Sequence, residues 1–330
     1  MKLDSAIIKS LSLDPTTSTV RNHGGSGFST TAKITAPDPE NPTKQKHYFM
    51  KTSRGDGARI MFEGEYTSLN AIHDVEPTLC PAAFAWGPCA DSPASYYLVT
   101  DFLDMSPSPT TSSKGSGKSL AAKLAKLHTT PAPIPENYSE PVFGFPVTTC
   151  CGDTAQPNDF TPSWPDFYAN NRLRAICAQA EHANGADPDL HRLVECMATK
   201  VVPRLLGPDH LNNGAPLTPV VIHGDLWSGN KGRGSIGNST AVEDVVFDPS
   251  AYYGEHEVEH GMQRMFGGFG PSFWSEYNRL CPPLEPRGEY EDRVSLYELY
   301  HHLNHFAIFG GGYRGGAMSI MRGLERKYGK

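Results

Sequence analysis

The chain has 330 residues, 38% of them apolar and 20% charged, with a formal net charge of -7. That size suits two lobes sharing a sizeable core, and the composition is that of a globular chain rather than a disordered one. The acidic balance argues against a nucleic-acid partner, which needs a basic footprint, and no run approaches the roughly 18 apolar residues of a membrane span.

The N-terminus, residues 1–8, is too poor in apolar residues for a signal peptide. Residues 29–35, 47–51 and 95–100 are rich in β-branched and aromatic residues and read as strands. Between the first strand-like segments lies His23-Gly24-Gly25-Ser26-Gly27-Phe28-Ser29. Gly24, Gly25 and Gly27 would let backbone N–H groups approach phosphates, although a Gly-rich hairpin alone is a weak signal.

Lys51 ends the second strand, and a helix over 58–71 follows. Met61, Glu65, Leu69 and Ile72 fall at i, i+4, i+8 and i+11, so they share one face. Glu65 is thus a carboxylate in an apolar stripe, which is costly unless a cation meets it. Lys51 is the natural partner, whereas Glu63 lies on the other side near Arg59. The strand at 95–100 runs into Asp101-Phe102-Leu103.

Residues 106–118 are rich in Ser, Pro, Thr and Gly and read as a flexible connection. Residues 115–119 resemble the end of a phosphate-binding P-loop, but Ser112 stands where that motif needs glycine and no strand precedes it. Helical patterns then dominate, over 119–128, 167–182, 190–206 and 290–309. The seven cysteines are odd in number and scattered, with Cys150 and Cys151 the one close pair. They fit reduced thiols in a cytoplasmic protein. His301, His302 and His305 have helical spacing that can bind zinc, but without an accompanying carboxylate or cysteine pattern they read as structural or pocket-lining.

The most informative segment is His223-Gly224-Asp225-Leu226-Trp227-Ser228-Gly229-Asn230, followed by Asp248-Pro249. Phosphotransferases of the kinase fold need a carboxylate beside the attacking hydroxyl and oxygen ligands for magnesium on the nucleotide phosphates. A His-x-Asp-x4-Asn loop and a later Asp supply them. Asp225, Asn230 and Asp248 have that order, and the apolar runs 219–222 and 245–247 read as strands that hold them. Lys51 and Glu65 then match the lysine–glutamate bridge of a kinase small lobe. Asp101, Phe102 and Leu103 become the hinge whose backbone reads adenine. The expected architecture is α+β, a bilobal protein-kinase-like fold of the aminoglycoside phosphotransferase type. Residues 1–103 form the ATP-clamping lobe with the hinge, and 104–330 the catalytic and substrate-binding lobe. ATP and Mg²⁺ are the implied cofactors.

The chain resembles the fructosamine-3-kinase family, also called ketosamine or protein-ribulosamine 3-kinases, most closely its fungal members. The carrying segments are 61–65, 143–152, 164–168, 223–230, 265–269 and 299–305, and the match runs from about Gly24 to Leu324. Trp227-Ser228-Gly229 is more specific than the general loop pattern. The resemblance implies ATP-dependent phosphorylation of the 3-hydroxyl of a ketosamine on lysine or on a glycated protein. The product breaks down to free the amine, so the family works in deglycation. Many members carry a cysteine in the Gly-rich loop. This chain reads Gly25-Ser26-Gly27, so that redox regulation is not carried over. Tyr253-Gly254 is followed by Glu255 where the family commonly has His, and Glu259 takes a position that is often Asp.

Within this reading Asp225 accepts or orients the sugar hydroxyl proton, and Asn230 and Asp248 hold Mg²⁺. Trp227, His223 and Glu257 are the substrate-side candidates. Trp227 is either an apolar platform for the sugar or a packing residue. His223 reads more readily as a brace for the loop. The acidic run Glu255, Glu257, Glu259 is either a solvated turn or a site for the protonated ketoamine. A small-molecule kinase of the aminoglycoside or choline type and a nucleotide-binding pseudokinase stay open as alternatives.

Overall fold

Alternating β-branched and apolar positions in the first third of the chain build one antiparallel sheet. After a short helix, α1 (Ser5–Ser10), come β1 (Thr19–Asn22), β2 (Thr30–Pro37) and β3 (Gln45–Arg54). Helix α2 (Asp56–Val75) follows, then β4 (Ala83–Pro88) and β5 (Ser95–Asp101). The sheet order is β1-β2-β3-β5-β4, which puts β3 at its centre. The computed structural model describes residues 2–25, 27, 29–39, 41–105 and 116–330. Most of the segment read as a linker, 106–115, lies outside the described residues.

The two faces of the sheet are covered differently. Leu3 and Ile7 of the α1 region pack with Ala32, Ile34, Met50 and Val99 on one side. On the other, Phe62, Leu69 and Ile72 of α2 join Leu98 in a core continuous with that of the second half. Gly64 lets α2 approach the chain at Thr148: a Cβ there would lie 2.8 Å from the Thr148 carbonyl oxygen.

The second half begins with β6 (Leu103–Asp104) and α3 (Leu120–Thr129), which starts at Ser119 as an N-cap whose side chain accepts from the Ala122 N–H. Then come β7 (Thr149–Cys151), β8 (Thr154–Gln156), α4 (Trp164–Phe167), α5 (Ala175–Asn184), α6 (Pro188–Cys196) and α7 (Val202–Leu206). Strands β9 (Val220–Ile222), β10 (Lys231–Ile236), β11 (Glu243–Val246) and β12 (Tyr252–Gly254) carry the catalytic-loop region. Helices α8 (Glu259–Phe266), α9 (Pro271–Leu280), α10 (Tyr290–Phe309) and α11 (Tyr313–Tyr328) close the chain.

The small β-rich half and larger helical half match the expected α+β bilobal layout. The halves are tied by Lys123, wholly buried on α3, whose Nζ is 2.7 Å from Glu243 on β11 and 2.9 Å from the Thr78 carbonyl beyond α2. The helix expected at 290–309 is α10. The two expected over 167–182 and 190–206 are not continuous α-helices, because π-helical segments at Tyr168–Arg174 and Met197–Val201 interrupt them. Tyr168, Leu173, Met197 and Val201 in those segments are buried, so their apolar pattern is that of a buried helix and hides the change of hydrogen-bond register.

Candidate active site

Strand β9 delivers the chain directly into His223-Gly224-Asp225, and its partner β12 fixes the far side, with Ile222 opposite Tyr252. Gly224 has φ +81, and a Cβ there would meet the Ser250 carbonyl oxygen at 2.2 Å. Only glycine allows the loop to lie so close to the segment after Asp248. The Ser250 N–H donates to the His223 carbonyl, which stitches the two segments together.

Glu259, fully buried at the start of α8, accepts from the backbone N–H of His223 at 2.6 Å and of Gly224 at 3.1 Å. Burial works to raise its carboxyl, and the His128 ring 3.6 Å away, with the nearby His223, outweighs it, leaving the group below its ordinary range. The His223 ring is buried, Nε2 donates to the Phe247 carbonyl, and Nδ1 accepts from the Asp225 N–H. Burial also holds this imidazole neutral, with its pKa below the usual value. His223 is therefore a brace and not a substrate contact. The substrate-side expectation for it is corrected, because no ring atom is left over and the residue is 0% exposed.

Asn230 donates through Nδ2 to the Asp225 carbonyl at 2.9 Å and to Asp225 Oδ2 at 3.1 Å. Its own carbonyl receives the Phe247 N–H, which ties the loop to the end of β11 just before Asp248. Burial and the negative charge of Asp248 push the Asp225 carboxyl up to about 8. Asp248 sits at φ +55, a left-handed conformation that turns the chain after β11.

Lys51, at the centre of the small sheet, places Nζ 2.7 Å from Glu65 Oε1 and 2.7 Å from Asp248 Oδ1. Burial works against the Lys51 charge, but the two carboxylates outweigh it and hold the ammonium protonated. Burial likewise opposes ionisation of Asp248, and Lys51 keeps that carboxyl below its usual range. Glu63 pairs with Arg59 on the exposed side of α2, as the helical spacing predicts.

These groups line one cleft. Its inner part, about 220 Å³, is walled by Phe49, Leu69, Pro81, Phe247 and Met105, with Thr100, Asp101 and Leu103 at the edge. Its outer part, about 330 Å³, brings Asp225, Asn230, Asp248 and Trp227 together with Cys150 and Gly152. Gly25, Lys51, Glu65 and Asp248 border both parts. Gly27 borders the outer part, and Gly24 borders neither; Ser26 and Phe28 are outside the described residues. Trp227 lies against Phe266, ring centroids 5.4 Å apart, and also lines the outer part of the cleft.

Two further expectations need correction. Phe102 does not face the cleft. Its N–H donates to His47, its carbonyl accepts from Gly237, and its ring lies under Lys33, so neither backbone group is left for adenine. Asp101 and Leu103 do border the cleft. Glu257 is 0% exposed and held by Arg293 through Nε at 2.6 Å and Nη2 at 3.0 Å. Glu255 is buried too, accepting from Tyr297 and from the Glu257 N–H, and burial with the Glu257 charge pushes it up to about 8. The acidic run is neither a solvated turn nor a ketoamine site but buried scaffold.

Sequence reasoning also missed that Cys150 lines the cleft and that buried Cys151 lies against the Asp225 carboxyl. The resemblance had singled out the segment 143–152, which was the signal to follow. His301 is buried and its carbonyl takes His305 Nδ1; among the described residues these histidines form no metal-ligand group. All seven cysteines are free, and no helix among the described residues is long and apolar enough to cross a membrane.

A family model described as Fructosamine kinase matches residues 13–327. A ketosamine-3-kinase from Mus musculus is 33% identical over 302 residues, covering 86% of this chain and 90% of its own. Among solved structures, a candidate fructosamine-3-kinase from Thermobifida fusca YX-ER1 has a TM-score of 0.70 at 22% identity, over 98% of this chain and 99% of that one. A thermostable mutant of the aminoglycoside phosphotransferase APH(4)-Ia, solved as a ternary complex with ADP and hygromycin B, has a TM-score of 0.53 at 12% identity, over 99% and 98%. At such identities the two structures show the shared bilobal fold alone.

Proposed function

The chain belongs to the fructosamine kinase family, and from that premise we propose that it transfers the γ-phosphoryl group of ATP to the 3-hydroxyl of a ketosamine, in the service of protein deglycation. The observation that carries the reading is the single cleft in which Lys51, Asp225, Asn230 and Asp248 meet beside an apolar inner chamber. The chamber suits an adenine, with Asp101 and Leu103 at its edge and Gly25 and Gly27 over the phosphates. Residues 1–103 act as the nucleotide clamp and 104–330 as the catalytic and acceptor lobe.

Asp225 takes the proton of the attacking hydroxyl, whose oxygen bonds to the γ-phosphorus as the bond to the ADP oxygen breaks. Its burial beside Asp248 makes it a proton acceptor tuned near neutral pH. Asn230 uses Nδ2 to orient Asp225, which leaves its side-chain oxygen Oδ1 for a cation. Asp248 has a second carboxylate oxygen beyond the one that meets Lys51. An all-oxygen pair of this kind suits Mg²⁺, which keeps most of its waters and binds through few protein groups. When bound, the ion neutralises charge on the phosphates. Lys51, oriented by Glu65, adds a fixed positive charge at the same place. Trp227 forms an apolar wall for the acceptor. Seven unpaired thiols support a reducing compartment, the cytoplasm.

The pseudokinase alternative gains no support, since none of Lys51, Glu65, Asp225, Asn230 and Asp248 is replaced in the sequence. The test is to supply Mg·ATP with fructose-lysine and ribulose-lysine, and follow the mass of the sugar product. Phosphate gain on the ketosamine supports the reading; phosphorylation of an aminoglycoside or choline instead would replace it.

A further inference from the structure

Away from the cleft, α5 and α6 bring together three side chains that the kinase chemistry does not use. Cys177 and Glu181 stand one turn apart on α5, and His191 rises from α6 to meet them. One donor atom from each, a thiol sulfur, a carboxylate oxygen and a ring nitrogen, lies within 4.8 Å of the other two. Glu181 Oε2 is 3.3 Å from His191 Nδ1. The other Glu181 oxygen accepts from the Asp187 N–H, so the carboxylate is already oriented.

We propose that Cys177, Glu181 and His191 bind one zinc ion, with water completing the shell, and that the ion clasps α5 to α6. The donor chemistry selects the metal. Sulfur, imidazole and carboxylate together suit zinc, whereas magnesium and calcium take all-oxygen shells. Exposure is graded in the right sense. Cys177 is buried, Glu181 is half-buried and His191 is exposed, which leaves an open side for entry and for water.

The surroundings favour a cation. Three carboxylates, Glu181, Glu195 and Asp187, act on the Cys177 thiol. Arg174 already pairs with Glu195 and Arg314 with Asp187, so Glu181 is the carboxylate of the three without an arginine partner among the described residues. Zinc would displace the thiol proton to solvent as the sulfur–metal bond forms, and its charge offsets the carboxylates that otherwise oppose the thiolate.

The full chain, stripped with a chelator and dialysed against micromolar Zn²⁺, should retain one zinc per chain by elemental analysis. Co²⁺ in its place should show a thiolate-to-metal absorption band. His191→Asn, an exposed change that does not threaten folding, should weaken zinc binding by at least about tenfold. Cys177→Ser should abolish the cobalt band. No retained zinc would overturn the proposal. So would zinc that stays bound in His191→Asn and Cys177→Ser at unchanged affinity, since the metal would then sit elsewhere.

Discussion

Lys51 and Asp248, 197 residues apart in the chain, meet across the cleft with Nζ 2.7 Å from Oδ1. The same ammonium is 2.7 Å from Glu65. One cation therefore links the central strand of the small lobe, its helix α2 and the turn after β11. This pairing joins residues that line both parts of the cleft.

Glu65→Gln removes one of the two carboxylates that fix Lys51. Breaking a buried ion pair costs about 3–5 kcal/mol, so part of the effect appears as a lower melting temperature. In the folded fraction the KM for Mg·ATP should rise roughly tenfold, about 1.4 kcal/mol of lost binding. The ketosamine KM should stay within a factor of two or so. Unchanged nucleotide affinity and turnover would remove Glu65 from this role.

Asp225 gives a pH signature. Burial and Asp248 push its carboxyl up to about 8, and only the ionised form accepts a proton. At low nucleotide, kcat/KM should therefore climb with pH toward 8 instead of levelling off near the usual carboxylate range. Stability should run the other way. A folded pKa raised above the ordinary 3.8 gives a contribution that is full below that value and is lost as pH rises through about 8. Glu255, also pushed up to about 8, adds to the same fall. The melting temperature should drop between about pH 4 and 8 and level off above, and the drop should be smaller in Asp225→Asn. A rate plateau complete by pH 6 would contradict the assignment.

Much of this site was legible in the residues. The spacing of Asp225, Asn230 and Asp248 requires a loop and a following strand, and the i, i+4, i+8 face of α2 singled out Glu65 before any contact was seen. What was hidden is nonlocal. Glu257 finds its partner in Arg293, 36 residues on, so an acidic run that looks solvated becomes fully buried. Phe102 looked like a hinge reader, but its N–H and carbonyl are taken by His47 and Gly237, on neighbouring segments that no local pattern announces. Glu259 was noticed as a departure, yet its hold on the His223 and Gly224 N–H groups appears only when α8 packs under the loop.

Arg293→Ala tests the corrected reading of the acidic run. It would leave Glu257 buried and unpaired, at a cost of about 3–5 kcal/mol. Chemical denaturation should show that loss. Glu257→Gln should be milder and leave ketosamine KM unchanged in the folded fraction. A selective rise in ketosamine KM without loss of stability would restore Glu257 as a substrate group.

Trp227 lies against Phe266 and borders the outer cleft. Trp227→Ala should raise ketosamine KM by an order of magnitude or so, with the ATP KM little changed. Equal rises in both would mean that the indole only supports the loop.

The central claim is that the Asp225 carboxylate drives phosphoryl transfer to a ketosamine. The direct measurement is ADP release from Mg·ATP, with and without ribulose- or fructose-modified lysine, in the wild type and in Asp225→Asn. The account predicts ketosamine-dependent release in the wild type and a drop of about 10²- to 10⁴-fold in the variant, with ATP still bound. Ketosamine-dependent release that survives in Asp225→Asn, or none in the wild type, would contradict it.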